Sequence, residues 1–261
     1  MTAIEILSAL ASGGLIGVVL GLVGGGGSIL AVPLLIYVVG VRSAHEAIGT
    51  AAVAVAANAL ASLAGHTRAG TVKWRCAWSF ALAGVVGASM GAEIGKAVDG
   101  KRLLLLFGLL MIGVGLSMLR KRRKSEAPDV RLTRESAAAI LPRLIPIGFG
   151  VGLAAGFFGI GGGFLIVPGL IAATAMPLVN AVGTSLVVVA ALGLTTASSY
   201  ALSGYVDWGV AGLLVAGGAG GAMAGIALGK RLATRKGLLE RIFAIVVISV
   251  GAYVALRGPG G

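Results

Sequence analysis

The run Gly21-Leu22-Val23-Gly24-Gly25-Gly26-Gly27-Ser28 returns 135 positions later as Gly156-Phe157-Phe158-Gly159-Ile160-Gly161-Gly162-Gly163. Each copy interrupts an apolar stretch, and each precedes a short apolar segment that carries a proline, Pro33 or Pro168. Glycine costs a helix about 1 kcal/mol per residue against alanine, so a cluster of four breaks one. Broken backbone at membrane depth survives only inside protein or against a water-filled cavity. The two runs therefore read as helices broken within a bilayer, at equivalent places of a duplicated chain.

The duplication extends well beyond them. At the same offset Gly13, Gly17, Leu30, Val32 and Pro33 fall on Gly148, Gly152, Leu165, Val167 and Pro168. After the loss of one residue the offset is 134, and Gly49, Thr50, Gly70, Val72 and Trp74 fall on Gly183, Thr184, Gly204, Val206 and Trp208. The chain divides into a first repeat, 1–119, a basic linker, 120–139, and a second repeat, 140–261. Apolar segments occupy about 4–23, 28–41, 45–65, 75–96 and 102–119 in the first repeat. In the second they occupy about 143–158, 163–176, 178–200, 208–229 and 237–256. About 20 helical residues cross an apolar core of roughly 30 Å. The third, fourth and fifth segments of each repeat come up to that length or close to it. The second segments, and the sixth segment overall, are short and read as arms of broken hairpins. The expected fold is an all-α polytopic membrane protein of two inverted repeats. Each repeat is a glycine-broken helical hairpin followed by three transmembrane helices.

Composition agrees. Of 261 residues, 57% are hydrophobic, 11% are charged, 45 are glycine and one is cysteine, and the mean hydropathy is +1.02. A disordered chain needs the reverse balance, and a disulfide scaffold needs many cysteines. The net charge of +12 invites a nucleic-acid reading, but its placement argues against one. Basic residues gather in short segments between apolar stretches, most densely at Arg120, Lys121, Arg122, Arg123 and Lys124. Cytoplasmic loops collect such residues, which places the linker inside. Counting crossings from it leaves sixteen of the 21 basic residues inside, puts loop 66–74 inside and 201–207 outside, and sets both termini outside. Equivalent loops on opposite faces mean inverted repeats, the architecture of secondary transporters.

The glycine clusters are the candidate site. Helices starting at 28 and 163 would aim free N–H groups and the positive ends of their dipoles at a cavity, a ready place for an anion. Inverted hairpins can bring such tips together at the midplane. Gly24, Gly25, Gly26, Gly27, Ser28, Gly159, Gly161, Gly162 and Gly163 are its members, and no Gly-Lys-Ser/Thr follows to make a phosphate loop. Gly13, Gly17 and Gly21 are spaced for helix packing instead.

These runs, with the Pro33 and Pro168 arms, Ala47-Ile48-Gly49-Thr50, Ala181-Val182-Gly183-Thr184-Ser185 and Gly204-Tyr205-Val206-Asp207-Trp208, resemble the TauE/SafE sulfite-exporter family over nearly the whole chain. The resemblance implies a permease or exporter of sulfite, organosulfonates or related sulfur-containing anions in the cell inner membrane, working without ATP. The halves differ at Lys73 opposite Asp207 and at Ala51 opposite Ser185.

Thr50, Thr184, Ser185 and Asn58 are candidates to complete the anion site, Asn58 foremost because an amide cannot be satisfied within its own helix turn. Glu93 is a candidate coupling acid, although Lys96 three residues on offers it a plain ion pair. No metal site or cofactor is expected. A small anion and membrane lipids are the expected partners, a second copy of the chain is a candidate, and nucleic acid is not expected. The rival classes are a membrane-embedded enzyme, for which the apolar segments lack paired acids and a histidine cluster, and a non-transporting subunit of a membrane complex.

Overall fold

A computed structural model of the protein describes residues 3–23, 28–119, 134–159, 163–231 and 236–257. The described residues form ten helices and no strand. Helix α1 is Ala3–Val23; α2 begins as Ala31–Leu34 and runs on through a π-helical turn, Leu35–Val39; α3 is Ala44–Arg68, α4 Trp74–Ala97 and α5 Gly100–Leu119. Helix α6 is Arg134–Phe158, α7 Gly163–Thr174, α8 Leu178–Leu202, α9 Trp208–Arg231 and α10 Lys236–Arg257.

Seven of these, α1, α3, α4, α5, α6, α8 and α9, are long and apolar enough to cross a membrane. Helices α2 and α7 are shorter, as expected, whereas α10, expected to cross, carries among its described residues only the shorter apolar stretch Ala244–Leu256. Helix α6 corrects the sequence expectation. It begins at Arg134, inside the stretch assigned to the linker, and its apolar window Ile140–Phe158 is long enough to cross. The charges before it suggested a loop, but Ala137, Ala138, Ala139 and Leu141 are strong helix formers. Pro142 and Pro146 stand exposed within the helix. Each hairpin thus pairs one long arm with one short arm.

Local signals fix the ends of the central helices. Ser43 caps α3 by accepting the Glu46 N–H on its side-chain oxygen. Helices α3 and α8 end alike. Gly70 and Gly204 take φ of 67° and 76°, and the next amides, of Thr71 and Tyr205, reach back to the carbonyls of His66 and Tyr200 at 3.2 and 2.9 Å. This is a Schellman motif, whose left-handed residue favours glycine.

Helices α3 and α8 are the most enclosed, with 67% and 61% of their apolar windows buried against 28–44% for the other candidate spans. Around this central pair α1 lies along α9, α4 along α6 and α5 along α10, while α9 also packs on α3 and α4 on α8. Lipid tails are as apolar as leucine, so close van der Waals contact rather than water exclusion joins such helices. Glycine supplies it. A side chain at Gly13 or Gly17 would strike the backbone of Leu214 or Gly218, and one at Gly152 or Gly156 would strike that of Gly84 or Ala88.

The same contacts give helix direction. From Gly13 to Gly17 on α1 the facing residue advances from Leu214 to Gly218, so α1 and α9 run parallel. Helices α4 and α6 also run parallel, from Gly84 beside Gly152 to Ala88 beside Gly156. Helices α3 and α8 are antiparallel, with Gly49 beside Tyr200 and Ala56 beside Gly193. Helices α5 and α10 are antiparallel too, with Gly108 beside Gly251 and Gly115 beside Ala244.

Candidate functional site

Of the glycine clusters, Gly24, Gly25, Gly26, Gly27, Gly161 and Gly162 lie outside the described residues. Their flanks are described. Ser28 is fully buried and opens a short turn into α2. Gly163 is buried and begins α7. Gly159 ends the α6 arm with φ 64°, and a side chain there would collide with Ile48 of α3. Ile48 is eight residues from Ala56, the middle of α3, or about 12 Å at the helical rise. This flank therefore sits toward the N-terminal end of α3. From Gly163 the short arm climbs back along α6, with Gly169 against Ile147, Val151 and Phe80.

The two threonines are fully buried and mirror one another. Thr50 Oγ1 accepts the Asp207 N–H, and Thr184 Oγ1 accepts the Lys73 N–H, both at 3.0 Å. Each hydroxyl is thereby engaged with a loop of the other half. Ser185 donates to the Val182 carbonyl of its own helix at 2.8 Å. None of the three carries an unpartnered oxygen.

Asn58 is different. It is 1% exposed, its amide reaches the Leu214 carbonyl at a long 3.5 Å, and its Oδ1 has no partner. A side chain at Gly218 would overlap it. Its counterpart by the 134 offset, Leu192, lies in the same way over Gly84. Ser62, one turn along α3, and its counterpart Thr196 on α8 are fully buried and also lack partners, as does the hydroxyl of buried Tyr200. Sequence reading passed over Ser62 and Tyr200. The signal for Ser62 was its spacing of four from Asn58, which puts both on one helix face.

Glu93 forms the ion pair with Lys96, at 2.7 Å, and is 68% exposed. Ser199 Oγ donates to Glu93 Oε1 at 2.9 Å, and Lys96 Nζ donates to Ser203 Oγ at 3.0 Å. The quartet ties the last turns of α4 and α8 together on an exposed edge, which is not where a carboxylate relaying protons through the bundle would stand. His66 Nδ1 contacts Thr71 Oγ1 at 3.1 Å, and His45 lies against the rings of Tyr200 and Tyr205. Among the described residues no group of His, Cys, Asp and Glu is placed to hold a metal ion. A cleft of 260 Å³ opens beside Asp207, lined also by Glu5, Arg42 and Glu46.

Chemically, this is a helical bundle whose interior offers hydroxyl and amide groups and, among the described residues, no nucleophile–base pair. Comparison with known proteins points the same way. Residues 9–254 match the family described as sulfite exporter TauE/SafE. A probable membrane transporter protein of Xylella fastidiosa is 51% identical over 98% of this chain and 97% of its own. The probable membrane transporter protein YunE of Bacillus subtilis is 29% identical over 93% and 94%. No solved structure matches the chain.

Proposed function

The chain belongs to the sulfite exporter TauE/SafE family and is a multi-pass membrane transporter rather than an enzyme, and from that premise we propose that it carries small sulfur-containing anions, sulfite or organosulfonates, by alternating access. The observation that carries the proposal is the pair of short helices, α2 and α7, that start inside the bundle directly after the glycine clusters. An interrupted helix offers backbone N–H groups and a positive dipole end without the desolvation cost of a buried cation. Glycine lets an oxyanion approach that backbone closely. In this reading the amides of the Gly24–Gly27 cluster with Ser28, those of the Gly159–Gly163 cluster, and Asn58 hold the anion in turn along its path, since Asn58 lies about 15 Å along α3 from the Ile48 that faces Gly159. Thr50, Thr184 and Ser185 form the supporting walls, since their hydroxyls are already engaged, and Glu93 is left to its ion pair.

The repeats are read as inverted. Support comes from helix direction: α3 and its counterpart α8 run antiparallel, as do α5 and α10. A two-fold axis lying in the membrane plane reverses equivalent helices, whereas one along the membrane normal keeps them parallel. The basic residues then set the linker in the cytoplasm of an inner-membrane protein.

The test is counterflow. Proteoliposomes of the full chain loaded with unlabelled sulfite or a sulfonate should accumulate the labelled anion transiently against its own gradient. Absence of exchange for every sulfur oxyanion tried would remove the substrate assignment.

A further inference from the structure

The loops joining α3 to α4 and α8 to α9 are each received by the central helix of the opposite half. The Tyr205 carbonyl stands where a side chain at Gly49 would be, and Thr71 stands where one at Gly183 would be. The neighbouring threonine then takes the loop amide, Thr50 from Asp207 and Thr184 from Lys73, both at 3.0 Å. Glycine clears the seat and threonine fastens it. Because α3 and α8 are antiparallel, the two fastenings lie at opposite ends of the central pair. They are about 22 Å apart along the helix axes, since the pairing of Gly49 with Tyr200 and Ala56 with Gly193 sets Thr184 opposite Gly65.

These bonds are built to open. Lys73 and Asp207 are N-cap residues of α4 and α9, their carbonyls accepting the first helical bonds from Ala77 and Ala211. Their amides belong to no helical ladder, so when a loop lifts away at the membrane face water can meet them. A freed threonine hydroxyl can turn to a carbonyl of its own preceding turn. Opening therefore leaves no stranded polar group.

We infer that Thr50–Asp207 and Thr184–Lys73 are the two gate latches of the transport cycle, one for each face, and that both are fastened in this structure. The inference rests on the alternating-access reading above. It makes Thr50 and Thr184 positioning residues that control access without touching the anion. In a cycle that admits substrate from one face at a time, one latch is released while the other holds.

The experiment uses the full chain in oriented proteoliposomes, with Cys76→Ala as parent. The reporters are Ala51→Cys and Ser185→Cys, equivalent buried positions beside the two threonines. Thr50→Val should raise labelling of the Ala51→Cys reporter by a membrane-impermeant maleimide roughly three- to tenfold, the shift expected from losing one hydrogen bond. The Ser185→Cys reporter should stay unchanged or fall. Thr184→Val should do the reverse, from the opposite face. Thr50→Ser and Thr184→Ser keep the hydroxyl and should restore the parental rates, while Thr50→Ala should act like valine without an added branch. Both reporters rising together, or neither moving, overturns the latches. Sulfite counterflow of the parent is measured alongside. If the parent exchanges sulfite while the reporters show no one-sided labelling, only the latches are lost; if the reporters label one-sidedly while the parent does not exchange, only the sulfur-anion reading is lost.

Discussion

Asn58 stands in a slot that Leu192 fills with carbon in the other half, each lying over a glycine of a neighbouring helix. Shape alone would make leucine acceptable at both places. An amide there is a departure that packing does not require, and its Oδ1 is buried without a partner. Rotation of the amide exchanges its donor and acceptor ends, so one N–H can face an anion. Asn58→Leu should therefore leave thermal stability within about 1.5 kcal/mol of the parent, the net worth of the one long hydrogen bond it removes. It should weaken half-saturation in sulfite counterflow about tenfold, the worth of a hydrogen bond to a charged group. Unchanged half-saturation would return Asn58 to a packing role. At this scale the sequence was only half legible. It displayed Thr50 and Thr184 as a matched pair, but their partners are backbone amides 157 and 111 positions away. No local pattern announces a bond of that kind, so the pair read as substrate contacts.

The helices themselves were readable because their signals are local. Glycine, proline and the Ser43 cap mark ends within a turn or two, and apolar runs bounded nine of the ten segments to within a few residues. Helix α6 was the exception, since charge before Ile140 outweighed the helix-forming alanines in a reading by hydropathy. The packing glycines were legible as spacing, and each has a specific counterpart across the contact. Gly152→Leu would drive a side chain into the Gly84 backbone, which cannot move aside as a flexible side chain could. Overpacking of this kind costs about 1–3 kcal/mol, so the variant should melt at a markedly lower temperature in detergent. Gly150 has nothing within 4 Å of an added Cβ. Gly150→Ala should melt at or above the parental temperature, because alanine favours the helix by about 1 kcal/mol. Equal losses at both positions would show that glycine matters to α6 for some reason other than the α4 contact.

At the scale of the whole molecule, the recurring sequence reads as two halves but leaves open how they face each other. Two arrangements satisfy a duplication. An axis along the membrane normal would put Ala69 and its counterpart Ser203 on the same face, and an axis in the membrane plane would put them on opposite faces. Helix direction favours the second. Helices α3 and α8 are antiparallel, and α1 runs parallel to α9 while its counterpart α6 runs parallel to α4. Following the alternation from α3 to α5 and from α8 to α10, each of these helices then opposes its own counterpart. Charge favours it independently, because Arg68, Lys73 and Arg75 flank one loop whereas Asp207 stands in the other. Both Ala69 and Ser203 are exposed, so each accepts a cysteine reporter in a Cys76→Ala background. In intact cells a membrane-impermeant maleimide should label Ser203→Cys. It should reach Ala69→Cys only after the membrane is permeabilised. Labelling of both from one side would break the inversion, and with it the assignment of the two threonine latches to opposite faces.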